Sequence, residues 1–308
     1  MLKKIIYKLS SNKNAKTVAS NFAWLSVLLI AGYIFPLITM PYLARVIGVE
    51  GFGKIAFAAA IMSWIQTIAD WGFNYTATRD VAQNRGDQQK ISEIFSNVLW
   101  ARLLLVLLSL IILLLLICVI PSFKENREII LVTFLMIPGH VLFPDWFFQA
   151  LEKMKYTTIF NLFIKFLFTI LVFVYIKDKS DYILQPLITS VGYIVCGAFS
   201  LWIILRKWKY KLNKPIVGNI VITIKNSFDV FINNLMPNLY NSFSVMLLGG
   251  FYGAIPNGIF EGGNKFISIA YQFHNVLSRA FFPFLSRRID KVDLFAKLNI
   301  FTGSFIIW

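Results

Sequence analysis

Acidic charge is scarce in this 308-residue sequence, where 15 Asp and Glu stand against 30 Lys and Arg, and histidine and cysteine are scarcer still at two each. Cys118 and Cys196 lie inside long apolar runs with no CxxC spacing and no adjacent His. That excludes a disulfide framework and a structural zinc site. His140 and His274 are far apart in the chain, and two isolated histidines make no metal centre, so each is expected to be a hydrogen-bonded packing residue. Long polar connections are also missing, which leaves no room for a folded catalytic domain between the apolar runs. The acids in the loops assigned below to the outer side are the scattered Glu50, Glu125, Glu128, Asp178 and Asp181. They form no metal-binding cluster of the kind a membrane enzyme acting on polyprenyl-linked sugars requires. No enzyme activity and no cofactor are expected.

What the chain has is apolar length. Hydrophobic residues make up 57% of it and charged residues 15%, and the mean hydropathy is +0.67. These values lie outside the range of ordinary soluble domains. Eight runs reach the roughly 20 residues that a bilayer core demands: 18–40, 53–73, 98–120, 129–149, 156–176, 182–205, 228–250 and 257–279. A ninth starts near Leu294 and stops at Trp308. The class is all-α, a polytopic integral membrane protein with about eight complete transmembrane helices. The first run is too long for a signal-peptide core and no small-residue cleavage site follows it, so it reads as a retained helix.

Basic residues set the orientation, because cytoplasmic loops keep an excess of Lys and Arg. Lys3, Lys4, Lys8, Lys13 and Lys16 precede the first run, and the groups at 79–102, 153–155, 206–225 and 279–297 fall on the same side. The other side holds Arg45, Lys54, Lys124, Arg127, Lys177 and Lys179. A cytoplasmic N-terminus follows. The net charge of +15 is then mostly topogenic, with anionic membrane lipids as its neighbours and no nucleic acid needed.

Polar residues inside the runs repeat at helical spacing. In the eighth, Asn257, Glu261, Lys265, Ser268, Gln272, Asn275 and Arg279 are three or four apart and share one face, which must turn toward protein or water. Run five carries Thr157, Asn161, Lys165 and Thr169; run two carries Ser63, Thr67, Asp70 and Asn74; run seven carries Asn234, Asn238 and Asn241. Asp87 can cap a helix that begins before the membrane and continues as run three. Pro138 is expected to kink run four, and Trp146, Phe147, Phe148 and Tyr156 read as an interfacial belt.

Three segments carry a resemblance. Pro41-Tyr42-Leu43-Ala44-Arg45-Val46-Ile47-Gly48 with Glu50-Gly51-Phe52-Gly53, then Asp70-Trp71-Gly72-Phe73-Asn74 with Ala77-Thr78-Arg79-Asp80, then Pro144-Asp145-Trp146-Phe147-Phe148-Gln149 with Glu152-Lys153-Met154-Lys155-Tyr156, resemble the O-antigen (Wzx-type) flippases. These form part of the polysaccharide-transport branch of the multidrug/oligosaccharidyl-lipid/polysaccharide exporter superfamily. The likeness runs in order from about residue 18 to 160, and Ala150 replaces the Gly that usually follows the third motif's Gln.

The resemblance implies a two-lobed bundle around a central cavity. Residues 1–210 would be a six-helix N-terminal lobe, and 211–308 a partial C-terminal lobe holding helices seven, eight and the start of nine. Family members usually carry twelve or more spans, so the chain is expected to be a fragment or a truncated form. The implied activity is movement of an undecaprenyl-pyrophosphate-linked oligosaccharide across the bacterial inner membrane by alternating access, for lipopolysaccharide or capsule, alongside the polysaccharide polymerase machinery. A pyrophosphate entering low dielectric needs cations or water. Lys265 and Lys165 are the best-placed cations, with Arg45 at the outer side and Arg79 and Arg279 at the cytoplasmic side. Lys265 could instead pair with Glu261, and Lys165 could snorkel to the interface. Asn234, Asn238 and Gln272 offer amides to sugar hydroxyls or to neighbouring helices. Asp70 is a candidate for ion coupling or a helix cap. A multidrug antiporter on the same fold is the alternative, kept open by Asp70 and Glu261.

Overall fold

The computed structural model describes residues 13–265, 267 and 268. It has two compact units, Met1–Glu261 and Gly262–Trp308. Among the described residues of the second, 262–265, 267 and 268 are helical.

The first unit is built from helices α1 (Lys13–Val46), α2 (Gly48–Asp70), α3 (Phe73–Gln83), α4 (Gln88–Val119), α5 (Pro121–Glu125), α6 (Arg127–Phe134), α7 (Met136–Leu142), α8 (Asp145–Ala150), α9 (Met154–Tyr175), α10 (Leu184–Trp202), α11 (Val217–Asn226), α12 (Phe228–Asn241) and α13 (Phe243–Tyr252). A further helical stretch covers 254–261. Among the described residues, six stretches are long and apolar enough to cross a bilayer: Ser20–Val46, Gly48–Gln83, Gln88–Val119, Arg127–Ala150, Met154–Tyr175 and Lys179–Lys207. The seventh expected span is divided at Ser242 into α12 and α13, with Pro237 inside α12. The eighth begins at 254 and its far part, with Gln272, His274 and Arg279, lies outside the described residues.

Local chemistry explains the breaks. Asp87 does cap α4, its carboxylate accepting from Gln89 N and Lys90 N at 2.9 Å each. The second span bends between α2 and α3, where Trp71 and Gly72 both take left-handed backbone at φ 43° and 78°. A side chain at Gly72 would also lie 2.8 Å from Val230, so both its backbone and its neighbour call for glycine. The fourth span is three short helices, interrupted at Leu135 and at Phe143-Pro144; Pro138 removes one main-chain donor in the first turn of α7.

The long helices are buried on one face and exposed on the other. On α4, Leu105, Leu113 and Ile117 are buried while Leu107, Ile111, Leu115 and Val119 are exposed. Phe73, Phe95, Phe143, Trp146, Phe147 and Phe148 are fully buried where α3, α4 and α8 meet. Of the expected aromatic belt, Trp146, Phe147 and Phe148 are therefore core residues.

Candidate functional site

The second and third motifs come together in space. Helix α3 packs on α8. Thr78 Oγ1 donates to Trp146 O at 3.3 Å, and Arg85 pairs with Glu152 at 2.8 Å. At their meeting point sits Arg102, an arginine 1% exposed in the middle of α4. Its Nη2 donates to Asp70 Oδ1 at the end of α2, and Gln66 Nε2 donates to the other Asp70 oxygen at 3.0 Å. The Nε and Nη1 of Arg102 have no hydrogen-bond partner among the described residues. Asp145 and His140 lie within electrostatic range of both Arg102 and Asp70. Asp145 also accepts from Trp146 N at 2.8 Å, and the His140 ring lies 4.7 Å from that of Tyr193. His140 is thus part of a charged cluster.

By number alone, Arg102 falls with the topogenic charges at 79–102. Its signal was visible, because it lies five residues into an apolar run, and an intramembrane charge reads first as a site. The convergence of Asp70 and Asp145 on it was not visible, since the two motif aspartates are 75 residues apart in the numbering.

The remaining candidates are dispersed. Lys165 sits half-buried in mid-α9 with no ion pair among the described residues. Arg45 is exposed at the end of α1. Arg79 is exposed on α3 and pairs with its neighbour Asp80 at 3.0 Å. Glu261 is half-buried and Lys265 exposed, and both have interaction partners. Asn234 is half-buried in α12. Asn238 is committed to α2: Ser63 Oγ donates to its Oδ1 at 2.8 Å, and its Nδ2 donates to Ser63 O at 3.3 Å and to Thr67 Oγ1. That amide holds two helices together.

Both ends of α2 are gripped by the downstream chain. At the Gly72 end, Trp71 stacks on Phe231 at 4.0 Å and its Nε1 donates to Ile224 O at 3.0 Å, while Thr76 and Ser227 share a 2.7 Å hydroxyl contact. At the other end, Asn257 is wholly buried and donates to Gly53 O at 3.0 Å. A Cβ on Gly53 would fall 1.8 Å from Ala254 O, and one on Gly258 would fall 2.3 Å from Val49 O. Backbone meets backbone there, as small residues permit between membrane helices. Next to this contact lies a cavity of about 560 Å³ lined by Glu50, Lys54, Ser122, Glu125, Asn126 and the glycine-rich stretch of Gly249, Gly250, Gly253 and Ala254.

Charged groups enclosed among helices of membrane-crossing length define the class: an all-α, polytopic membrane protein with polar machinery between its helices. The chain belongs to the polysaccharide biosynthesis protein family, whose pattern matches residues 18–288. It is 28% identical over 304 residues to a protein of Escherichia coli (strain K12) named "Putative O-antigen transporter", covering 96% of this chain and 73% of that one. A protein of the same name from Shigella dysenteriae is 28% identical over 282 residues, covering 90% and 69%. A solved chain named "protein A" shares the fold at a TM-score of 0.60 and 14% identity, over 88% of this chain. This chain spans 64% of that structure's length.

Proposed function

We propose that this chain is a flippase, or the larger part of one, that moves undecaprenyl-pyrophosphate-linked O-antigen or polysaccharide repeat units across the bacterial inner membrane by alternating access. The observation that carries this is the meeting of two flippase-like motifs on a buried arginine inside a membrane bundle of the polysaccharide biosynthesis family. Nothing in the reading requires bond making or breaking, so the protein acts as a transporter beside the polymerase machinery that uses its product. The N-terminus lies in the cytoplasm. Residues 1–210 form the first lobe, and the chain from 211 onward begins the second.

In this reading Lys165 and Lys265 attract the pyrophosphate, Arg79 and Arg279 meet it at the cytoplasmic face, and Arg45 meets it at the outer face. Asn234, Gln272 and Glu261 offer hydrogen bonds to sugar hydroxyls, and Asn238 does so only when it releases α2. Asp70 couples lobe movement to charge through Arg102. That pairing also takes away one of the two acids that favoured a drug antiporter, since a carboxylate already neutralised by a guanidinium is a poor cation trap.

The test is expression in bacteria that make the matching repeat unit but lack their flippase. Surface polysaccharide is expected to return, either with this chain or with a version extended to twelve spans. Lys265→Ala and Lys165→Ala should reduce it more than the Arg substitutions at equal membrane levels. Equal activity of the Ala variants and wild type retires those lysines, and failure of both chain lengths retires the flippase reading.

A further inference from the structure

Residues 208–216, between the tenth helix and α11, take no helix and no strand, yet their backbone is held firmly to the first turns of α4. Gln88 Nε2 donates to Trp208 O at 3.2 Å and to Lys209 O at 3.1 Å. Lys211 N donates to Ser92 Oγ at 3.1 Å, and Asn213 N donates to Ser96 Oγ at 2.9 Å. Trp100 Nε1 closes the series on Asn213 O at 3.0 Å. Gln88, Ser92, Ser96 and Trp100 are spaced by four, so one stripe of α4 is given over to gripping this segment. Polar side chains thereby satisfy a backbone that has no ladder partner.

The grip fixes the main chain and leaves the basic side chains outward, while Trp208 packs on Phe148 and Tyr156 and Tyr210 packs on Phe147. Arg206, Lys207, Lys209, Lys211 and Lys214 are all exposed, none joins an ion pair among the described residues, and no Asp or Glu occurs between 206 and 228. Lys153 reaches the same place, its ammonium 3.7 Å from the Trp208 ring centroid. The segment directly follows a helix of membrane-crossing length, Lys179–Lys207, and Trp202, Trp208 and Tyr210 are the amphipathic rings expected at a headgroup boundary.

We propose that residues 206–214 are a docking strip for the anionic phospholipid headgroups of the leaflet they border. The distribution of charge selects that occupant. Nine residues span up to about 30 Å when extended, so the cations are spread along a line and meet several singly charged heads. A pyrophosphate would call for cations converging on one point. Because α4 pins the strip, its lysines need not be ordered at the moment of contact, and the junction between the first six spans and α11 stays tethered to the bilayer surface. The inference needs the membrane-spanning fold and does not need transport.

The test places the full chain in nanodiscs of mixed phosphatidylcholine and phosphatidylglycerol and measures spin-labelled lipid held at the protein surface. Wild type should prefer labelled phosphatidylglycerol, and the preference should shrink as salt rises. Replacing Arg206, Lys207, Lys209, Lys211 and Lys214 together by Gln should lower it severalfold, each cation near such a surface being worth up to about fivefold at low salt. Gln88→Ala, Ser92→Ala, Ser96→Ala and Trp100→Phe together keep every charge and release the strip, and should give a smaller loss; no change there overturns the pinned geometry. A preference untouched by the fivefold replacement overturns the proposal. So does binding of undecaprenyl pyrophosphate that the replacement abolishes while leaving phosphatidylglycerol selectivity intact.

Discussion

The Arg102–Asp70 pair predicts an asymmetry that ordinary packing would not produce. Arg102 is 1% exposed and the Asp70 side chain 21% exposed. Two of the three guanidinium nitrogens are unpartnered among the described residues, so Asp70 supplies the main hydrogen-bonded neutralisation. Asp70→Asn leaves the buried cation with no hydrogen-bonded carboxylate and with Asp145 as the remaining acid of its cluster within electrostatic range, and stranding one member of a buried pair costs about 3–5 kcal/mol. Arg102→Met removes the cation instead. It leaves a carboxylate that keeps its bond from Gln66 and stays 21% exposed, at a cost of about 1–2 kcal/mol. The double variant removes both charges and should fall near the Arg102→Met value, well above the Asp70→Asn single. The assay is unfolding of the purified chain in mild detergent against increasing sodium dodecyl sulfate, followed by tryptophan fluorescence. If Arg102→Met proves as damaging as Asp70→Asn, or the double variant is the least stable of the three, the pair is not governed by buried charge and the argument fails.

Gly53→Ala should destabilise by about 1–3 kcal/mol, because the new methyl can be relieved only by backbone movement. Gly218→Ala, a helical position with nothing within 4 Å, should stabilise by about 0.5 kcal/mol, and thermal unfolding of the two side by side checks the contrast. Asn238→Leu should cost only about 1 kcal/mol, since hydrogen bonds between membrane helices are individually weak; a loss above about 3 kcal/mol in the same assay would contradict that. Burial beside Trp208 holds the Lys153 ammonium below its ordinary value. The unfolded chain therefore binds more protons there between the folded value and the usual lysine range, and stability gains a small increment as pH rises through that window. Lys153→Met should remove that alkaline increment, measured by unfolding midpoints across pH.

Hydropathy located the first six spans because lipid demands it: an uninterrupted apolar run longer than a bilayer is hard to place anywhere else. The Asp87 cap was equally legible, being a local device within three residues. Breaks were harder to read. The division at Ser242 lies inside a run apolar enough to pass as one helix, and the bend at Trp71-Gly72 depends on the close approach of Val230, which is remote in sequence. The candidate site divides along the same line. Lysines spaced by helical turns can be found by counting, whereas the meeting of Asp70, Arg102 and Asp145 is a tertiary event. Arg102 is hidden in the sequence by its place at the end of a basic group, 79–102, whose other members lie outside the 98–120 run. Asn238 shows the converse: two roles were open to its amide in the sequence, and the structure displays the helix-to-helix one, in bonds with Ser63 and Thr67.

Because residues 217–258 clasp α2 at both of its ends, with Gly72 under Val230 at one and Gly53 against Ala254 at the other, that helix is a tie rod between the earlier and later parts of the chain. Separating the two would break contacts at both extremities together, and at each the clearance is less than one methyl group.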